Sequence, residues 1–170
     1  MPDFKPAEIL GVLERHGVEY VLIGGLAAIF HGAPHLTTDA DIVPAEGRSN
    51  LERLSAALKE LGAKIRVVGE PEGIPFGHDG ESLGRVRIWN LVTDLGHLDI
   101  TFTPTGTRGY DDLRRDVRWM KLRDVRIPVA SLADVIRSKE AADRERDRAS
   151  LPILREMLER ERAARDATSG

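Results

Sequence analysis

The sequence predicts an α/β (α+β) fold on three observations. Short apolar runs of strand character alternate with segments of helical period, glycine or proline closes most of them, and the C-terminal part is charge-rich and helical. In "KPAEILGVLERHG", Pro6 can open a helix whose apolar stripe is Ile9, Leu10 and Leu13, and Gly17 stands where it would stop. "EYVLIG" follows as a short buried strand, "GGLAAIFHG" as a small-residue helix, and "TTDADIVP" as a second strand closed by Pro44.

Ser49 and Glu52 form a capping-box pattern ahead of Leu51, Leu54, Ala57, Leu58 and Leu61, a helix ending at Gly62. "KIRVV" reads as a strand. Residues 69–84, rich in glycine and proline, have the composition of a mobile loop over a site or an irregular connection. "RVRIWNLVT" and "HLDITFTP" alternate as paired strands joined near Asp94 to Gly96, and "WMKLRDVRIPV" as a hairpin. "SLADVIRSKEAA" is a helix with Ser131 as cap and Asp134 at its third position. From Asp143 to Arg165 a last helical stretch can pack Leu151, Ile153, Leu154, Met157 and Leu158 on one face, before a frayed "ATSG".

With 170 residues, 41% hydrophobic, the chain is expected to form one domain over residues 1–170, with a core at about 18–130 and a helical part at about 131–166. A net charge of −3 supplies no global attraction to nucleic acid or anionic lipid, so a polyanion would need a local basic patch. The absence of cysteine excludes disulfides, thiolate metal sites and a cysteine nucleophile. The N-terminus lacks an apolar signal core, and the longest apolar run, Tyr20 to Phe30, is too short to span a bilayer. A cytoplasmic protein without membrane contact is expected.

Asp39 and Asp41, two apart on a strand, leave the same face, while Ala40 and Ile42 leave the other. Carboxylates that close repel unless a cation sits between them, and a hard divalent ion such as Mg2+ (or Mn2+) meets that need with oxygen ligands. Asp99 in "HLDITF" projects opposite to Leu98 and Ile100. If its strand lies beside that of Asp39, three acids converge on a two-metal arrangement. Otherwise Asp99 is a structural acid satisfied by Arg85 or Arg87. Gly24 and Gly25, where a strand turns into a helix, can let backbone N–H groups approach an anion, although such a pair also serves tight turns.

The order "IGG" at 23–25, "TTDADI" at 37–42 and "LDITF" at 98–102 resembles the polymerase-β-like nucleotidyltransferase superfamily, in particular its small prokaryotic minimal and AbiEii-like members. "SLADVIRSKEAADRERDRASLPIL" also looks like the helix those members carry, with Lys139, Arg144 or Arg146, and Asp147 in the basic and acidic positions. The stretch "HLTT" at 35–38 departs from relatives that carry arginine there. The resemblance spans roughly residues 18–158. It implies a mixed β-sheet flanked by helices with a C-terminal helical segment. It also implies metal binding by Asp39, Asp41 and Asp99, with Asp99 as base, and nucleotide binding by Gly24, Gly25, Thr38 and Lys139. The implied reaction is transfer of a nucleoside monophosphate from a nucleoside triphosphate such as ATP to a hydroxyl, releasing pyrophosphate.

The acceptor class, whether RNA, protein or small molecule, is left open by the resemblance, which also admits the toxin of a toxin–antitoxin pair with its antitoxin as partner. The alternative is a catalytically inactive member of the fold that binds or regulates. The bland reading of Lys139, Arg144, Arg146 and Asp147 is a solvated helix laced by i,i+4 ion pairs.

Overall fold

The structure, a computed structural model, describes residues 3–170. Its elements in chain order are α1 (Pro6–Arg15), β1 (Tyr20–Ile23), α2 (Gly24–Phe30), β2 (Asp39–Pro44), α3 (Arg48–Glu60), β3 (Lys64–Val67), β4 (Glu70–Ile74), α4 (Gly80–Arg85), β5 (Ile88–Thr93), β6 (Gly96–Thr101), α5 (Tyr110–Leu113), β7 (Arg118–Leu122), β8 (Val125–Val129), α6 (Leu132–Ala142) and α7 (Glu145–Thr168). A single 3-10 turn, Arg114–Asp116, follows α5. The strands form one mixed sheet in the order β4-β3-β5-β6-β2-β1-β8-β7, with β2–β6 and β1–β8 parallel and the other pairs antiparallel.

The β2–β6 pair positions the acids. Ala40, Ile42, Leu98 and Ile100 are fully buried in the core that also contains Ile9, Leu10 and Leu13 of α1 and Leu54 and Leu58 of α3. Each large aliphatic side chain so buried contributes about 1.5–3 kcal/mol, so the register that buries them is strongly fixed. Period-two alternation then sends Asp39, Asp41 and Asp99 to the opposite face. Buried Asn50 of α3 holds the near ends of β1 and β2: its amide donates to Glu19 O at 2.9 Å and Ala45 O at 2.8 Å, and its oxygen accepts from Glu19 N at 2.7 Å.

Residues 69–84 correct the expectation of a mobile loop, because they contain the edge strand β4 and the short helix α4. Gly73, at φ +77°, permits the irregular β3–β4 pairing, since a Cβ there would lie 2.8 Å from Ile65 O. Asp79 caps α4 through Ser82 N at 2.8 Å, and His78 Nδ1 lies 2.7 Å from Ser55 Oγ, so neither residue is a free ligand. Phe76 stacks on Trp89 with ring centroids 5.4 Å apart, fastening the segment to β5.

The Ser49–Glu52 capping box is also absent. Helix α3 begins two residues earlier, with Gly47 as its N-cap, which leaves Ser49 exposed inside the first turn. Ser131 does cap α6, accepting from Asp134 N at 3.1 Å. Helix α7 runs through Ala167 and Thr168, which were expected to fray, and the Thr168 hydroxyl donates to Arg165 O at 2.8 Å. On α7, Leu151 and Leu154 are buried, Met157 and Leu158 are partly so, and Ile153 is exposed.

Asp147, fully buried at the start of α7, joins that helix to α6. It accepts from Arg144 Nε at 2.6 Å and from Lys139 Nζ at 3.4 Å. Burial works to raise its pKa, but Arg144 and Lys139 outweigh burial and hold the carboxyl below the usual range. Asp147→Ala would leave Lys139 and Arg144 without that anion, and we expect a loss of about 3–5 kcal/mol in urea unfolding. Retention of wild-type stability would contradict the assignment of Asp147 as the tie between the two helices.

Candidate active site

Three carboxylates, supplied by two adjacent strands, form the centre of the site. Asp41 pairs with Asp99 across the parallel β2–β6 ladder, and Asp39 precedes Asp41 by one pleat. One oxygen from each of the three lies within 4.8 Å of the others. Thr37 Oγ1 donates to Asp39 Oδ1 at 2.8 Å, and Arg66 Nη2 donates to Asp99 Oδ1 at 2.8 Å. Among the described residues Asp99 alone of the three has a salt bridge, and it is to Arg66, not to Arg85 or Arg87.

Asp41 meets Gly24 of α2. Gly24 has φ +74°, and a Cβ there would come within 3.0 Å of Asp41 Cγ, so the position requires glycine on both conformational and steric grounds. Burial pushes the Asp41 carboxyl up to about 7, with Asp39 and Asp99 adding repulsion and Arg146 and Arg144 partly opposing it. Burial likewise lifts Asp99 to about 6, where the facing Arg66 lowers it and Asp39 raises it. Desolvation therefore outranks the ion pair at Asp99.

The acids line a cavity of about 1040 Å³. Gly24, Gly25 and Lys139, all expected from the sequence, line it as well, while Thr38 is exposed and its neighbour Thr37 lines the wall. Lys139 and Arg144 point their charges at Asp147, whereas Arg146 has no carboxylate partner among the described residues. His35 lines the wall. His31 Nε2 lies 2.8 Å from Ala130 O and is committed to the scaffold. Sequence reasoning missed Arg66 and Asn90. The signal for Arg66 was available, since a cation inside "KIRVV" is as conspicuous as the acid inside "HLDITF".

The donor set suits a hard divalent cation. It consists of carboxylate oxygens only, mutually repelling, with one guanidinium for three acids.

Three solved structures share this architecture. A lincosamide antibiotic adenylyltransferase, LnuA, bound to lincomycin, has a TM-score of 0.60 at 19% identity, covering 92% of this chain and 99% of that one. The antibiotic-resistance factor ANT(2'')-Ia gives 0.54 at 15%, covering 95% and 89%. A protein of Thermotoga maritima, provisionally called a nucleotidyltransferase, gives 0.50 at 19%, covering 99% and 96%. The fold is that of the nucleotidyltransferases. No protein-family model and no curated protein matches the chain. Among the described residues no helix is long and apolar enough to cross a membrane.

Because Asp41 and Asp99 are raised above their values in an unfolded chain, the folded protein holds extra protons between about pH 4 and 7. Their contribution to stability is full below about pH 4 and is lost as pH rises through about 6 to 7. In metal-free buffer at pH 8, Asp41→Asn should raise Tm by about 2–4 °C for each kcal/mol of repulsion removed. It should also flatten the pH dependence. A lower Tm in thermal melts with chelator would show that Asp41 is a structural group.

Proposed function

We propose that the protein is a metal-dependent nucleotidyltransferase that moves a nucleoside monophosphate from a nucleoside triphosphate to a hydroxyl acceptor and releases pyrophosphate. The observation that carries this reading is the register of β2 on β6, which makes neighbours of two acids far apart in the chain and sets them with Asp39 in one cavity. The likeness of fold to adenylyltransferases is consistent with it.

Asp39, Asp41 and Asp99 would hold Mg2+ or Mn2+, which when bound neutralises phosphate charge and polarises the reacting oxygens. Gly24 and Gly25 present backbone close to the acids, as a phosphate seat requires, and Arg146 adds an uncommitted positive charge on the α7 wall. Lys139 is the further group we assign to the triphosphate, reached when the anion draws it from Asp147, and Thr38 acts through the segment that carries Thr37. Asp99, which stands between the cation site and the flank of Arg66, would take the proton of the acceptor hydroxyl. That oxygen then bonds to the α-phosphorus as the bond to the β-phosphate oxygen breaks, and pyrophosphate departs with the electron pair.

Incubation with each α-labelled nucleoside triphosphate, Mg2+ or Mn2+, and a total cell extract should give acid-stable labelled product with at least one nucleotide. Asp39→Ala should lower the rate at least about 100-fold, the scale of losing one electrostatic stabiliser of the transition state. Label incorporation that persists in the variant would remove the site.

We further propose a role as the toxin of a toxin–antitoxin pair. Induced expression should arrest growth, Asp39→Ala should abolish the arrest, and undiminished growth with active wild-type enzyme would dismiss the role.

A further inference from the structure

Arg66 stands apart from the other cations of the cavity. Lys139, Arg144 and Arg146 belong to α6, α7 and their junction, and α6 packs against α2, the helix that begins with Gly24 and Gly25. Arg66 lies on β3, on the opposite flank, since the sheet runs β3-β5-β6-β2-β1. It leaves the regular ladder where it stands: Ile65 pairs with Ile74 and Val67 with Glu70, so Pro71, Glu72 and Gly73 oppose Arg66 alone. On its other side β3 lies on β5, with Lys64 on Val92 and Ile65 on Leu91, a register that sets Arg66 level with Asn90, the partner of Asp99, and the guanidinium crosses β5 to reach Asp99 on β6. Its side chain is 31% exposed against 11% for Asp99, so the arginine is the partner with room to move.

Two consequences follow from the nucleotidyl-transfer reading, on which this inference rests. Asp99, whose Oδ1 Arg66 holds, is one of the three carboxylates suited to a divalent ion, so cation and guanidinium compete for the same carboxylate. In-line displacement also puts the attacking and leaving oxygens on opposite sides of the phosphorus. With the glycines and the α6–α7 cations serving the departing pyrophosphate, the hydroxyl enters from the flank of Arg66 and Asn90. Among the residues lining the cavity Asp99 is the acid on that flank: Asp134, the lining acid outside the triad, lies on α6 and is bound 3.0 Å from Arg137. A polycation would find no counter-charge there, whereas a phosphate would find a planar guanidinium.

We propose that Arg66 is the acceptor-binding residue: it neutralises Asp99 in the free protein and, when a divalent cation takes its place, turns to a phosphate flanking the acceptor hydroxyl, as at the 3′ end of an RNA. The test compares wild type, Arg66→Gln and Arg66→Lys at constant pH. Mn2+ binding is followed by electron paramagnetic resonance, and transfer from labelled ATP, or from whichever of the other labelled nucleoside triphosphates the protein accepts in its place, is measured to total cellular RNA, to the polycation kanamycin and to lincomycin. Arg66→Gln should bind Mn2+ at least about threefold more tightly, its competitor having been removed. Label should enter RNA, with the KM for RNA raised about tenfold or more in Arg66→Gln, partly restored in Arg66→Lys, and the KM for ATP unchanged. Unaltered or weaker Mn2+ binding in Arg66→Gln overturns the exchange. Label on kanamycin or lincomycin instead of RNA, or an effect on the KM for ATP alone, overturns the acceptor assignment. Label in no pool, with Mn2+ bound, sinks the transfer reading and the acceptor assignment with it, while the Mn2+ comparison still judges the exchange.

Discussion

The parallel pairing of β2 with β6 forces Asp41 and Asp99 to be neighbours, and the rest of the site is arranged around that repulsion. Neither strand can relieve it by slipping one residue, because that would expose Ile42, Leu98 and Ile100 and drive the acids into the core. The apolar face therefore imposes on the other face an arrangement that is unfavourable in itself. Gly24 tightens it further, since the backbone of α2 closes on Asp41 and removes water that would otherwise screen the charge. A core that holds unfavourable charge in place is the structural condition for a preorganised cation site.

The positive charges of the cavity are divided between two kinds of duty. In the free protein Lys139 and Arg144 both face Asp147, Arg144 at 2.6 Å and Lys139 at the looser 3.4 Å, so Lys139 is the one of the two that an incoming anion can draw away. Arg146 is left to act at a distance on Asp41, and Arg66 acts by contact on Asp99. A charge-dense helix of this kind is thus neither uniformly functional nor uniformly a solvated face. Its fully buried carboxylate determines which cations are scaffold.

The acids were legible in the sequence because strand alternation is a local rule: Asp39 and Asp41 had to share a face, and Asp99 had to oppose Leu98 and Ile100. That β6 lies against β2 was only conditional, since pairing between strands so far apart in the chain is decided by tertiary packing. The same limit hid Arg66, whose partner lies two strands away; Arg85 and Arg87, the partners that the alternative reading offered Asp99, pair with Glu81 and Glu46. Composition misled at residues 69–84, because glycine and proline mark loops in general, yet an edge strand tolerates Pro71 and the hairpin needs Gly73. The lost capping box at Ser49 is a boundary effect of two residues, enough to turn a cap into a surface serine.

The balance of charge around the acids also bears on the order of events. In the free protein three carboxylates face one contacting guanidinium, so an approaching triphosphate meets a site that is negative once Asp41 and Asp99 are ionised. Arg146 on the far wall reduces this repulsion without cancelling it. A polyanion therefore binds there only together with, or after, enough cationic charge to reverse the sign. The cation that does so takes up oxygens now repelling one another and weakens the hold of Asp99 on Arg66. Under the exchange proposed for Arg66, neutralisation of the acids and release of the arginine would be one electrostatic event, with nucleotide on one flank and an unpaired guanidinium on the other.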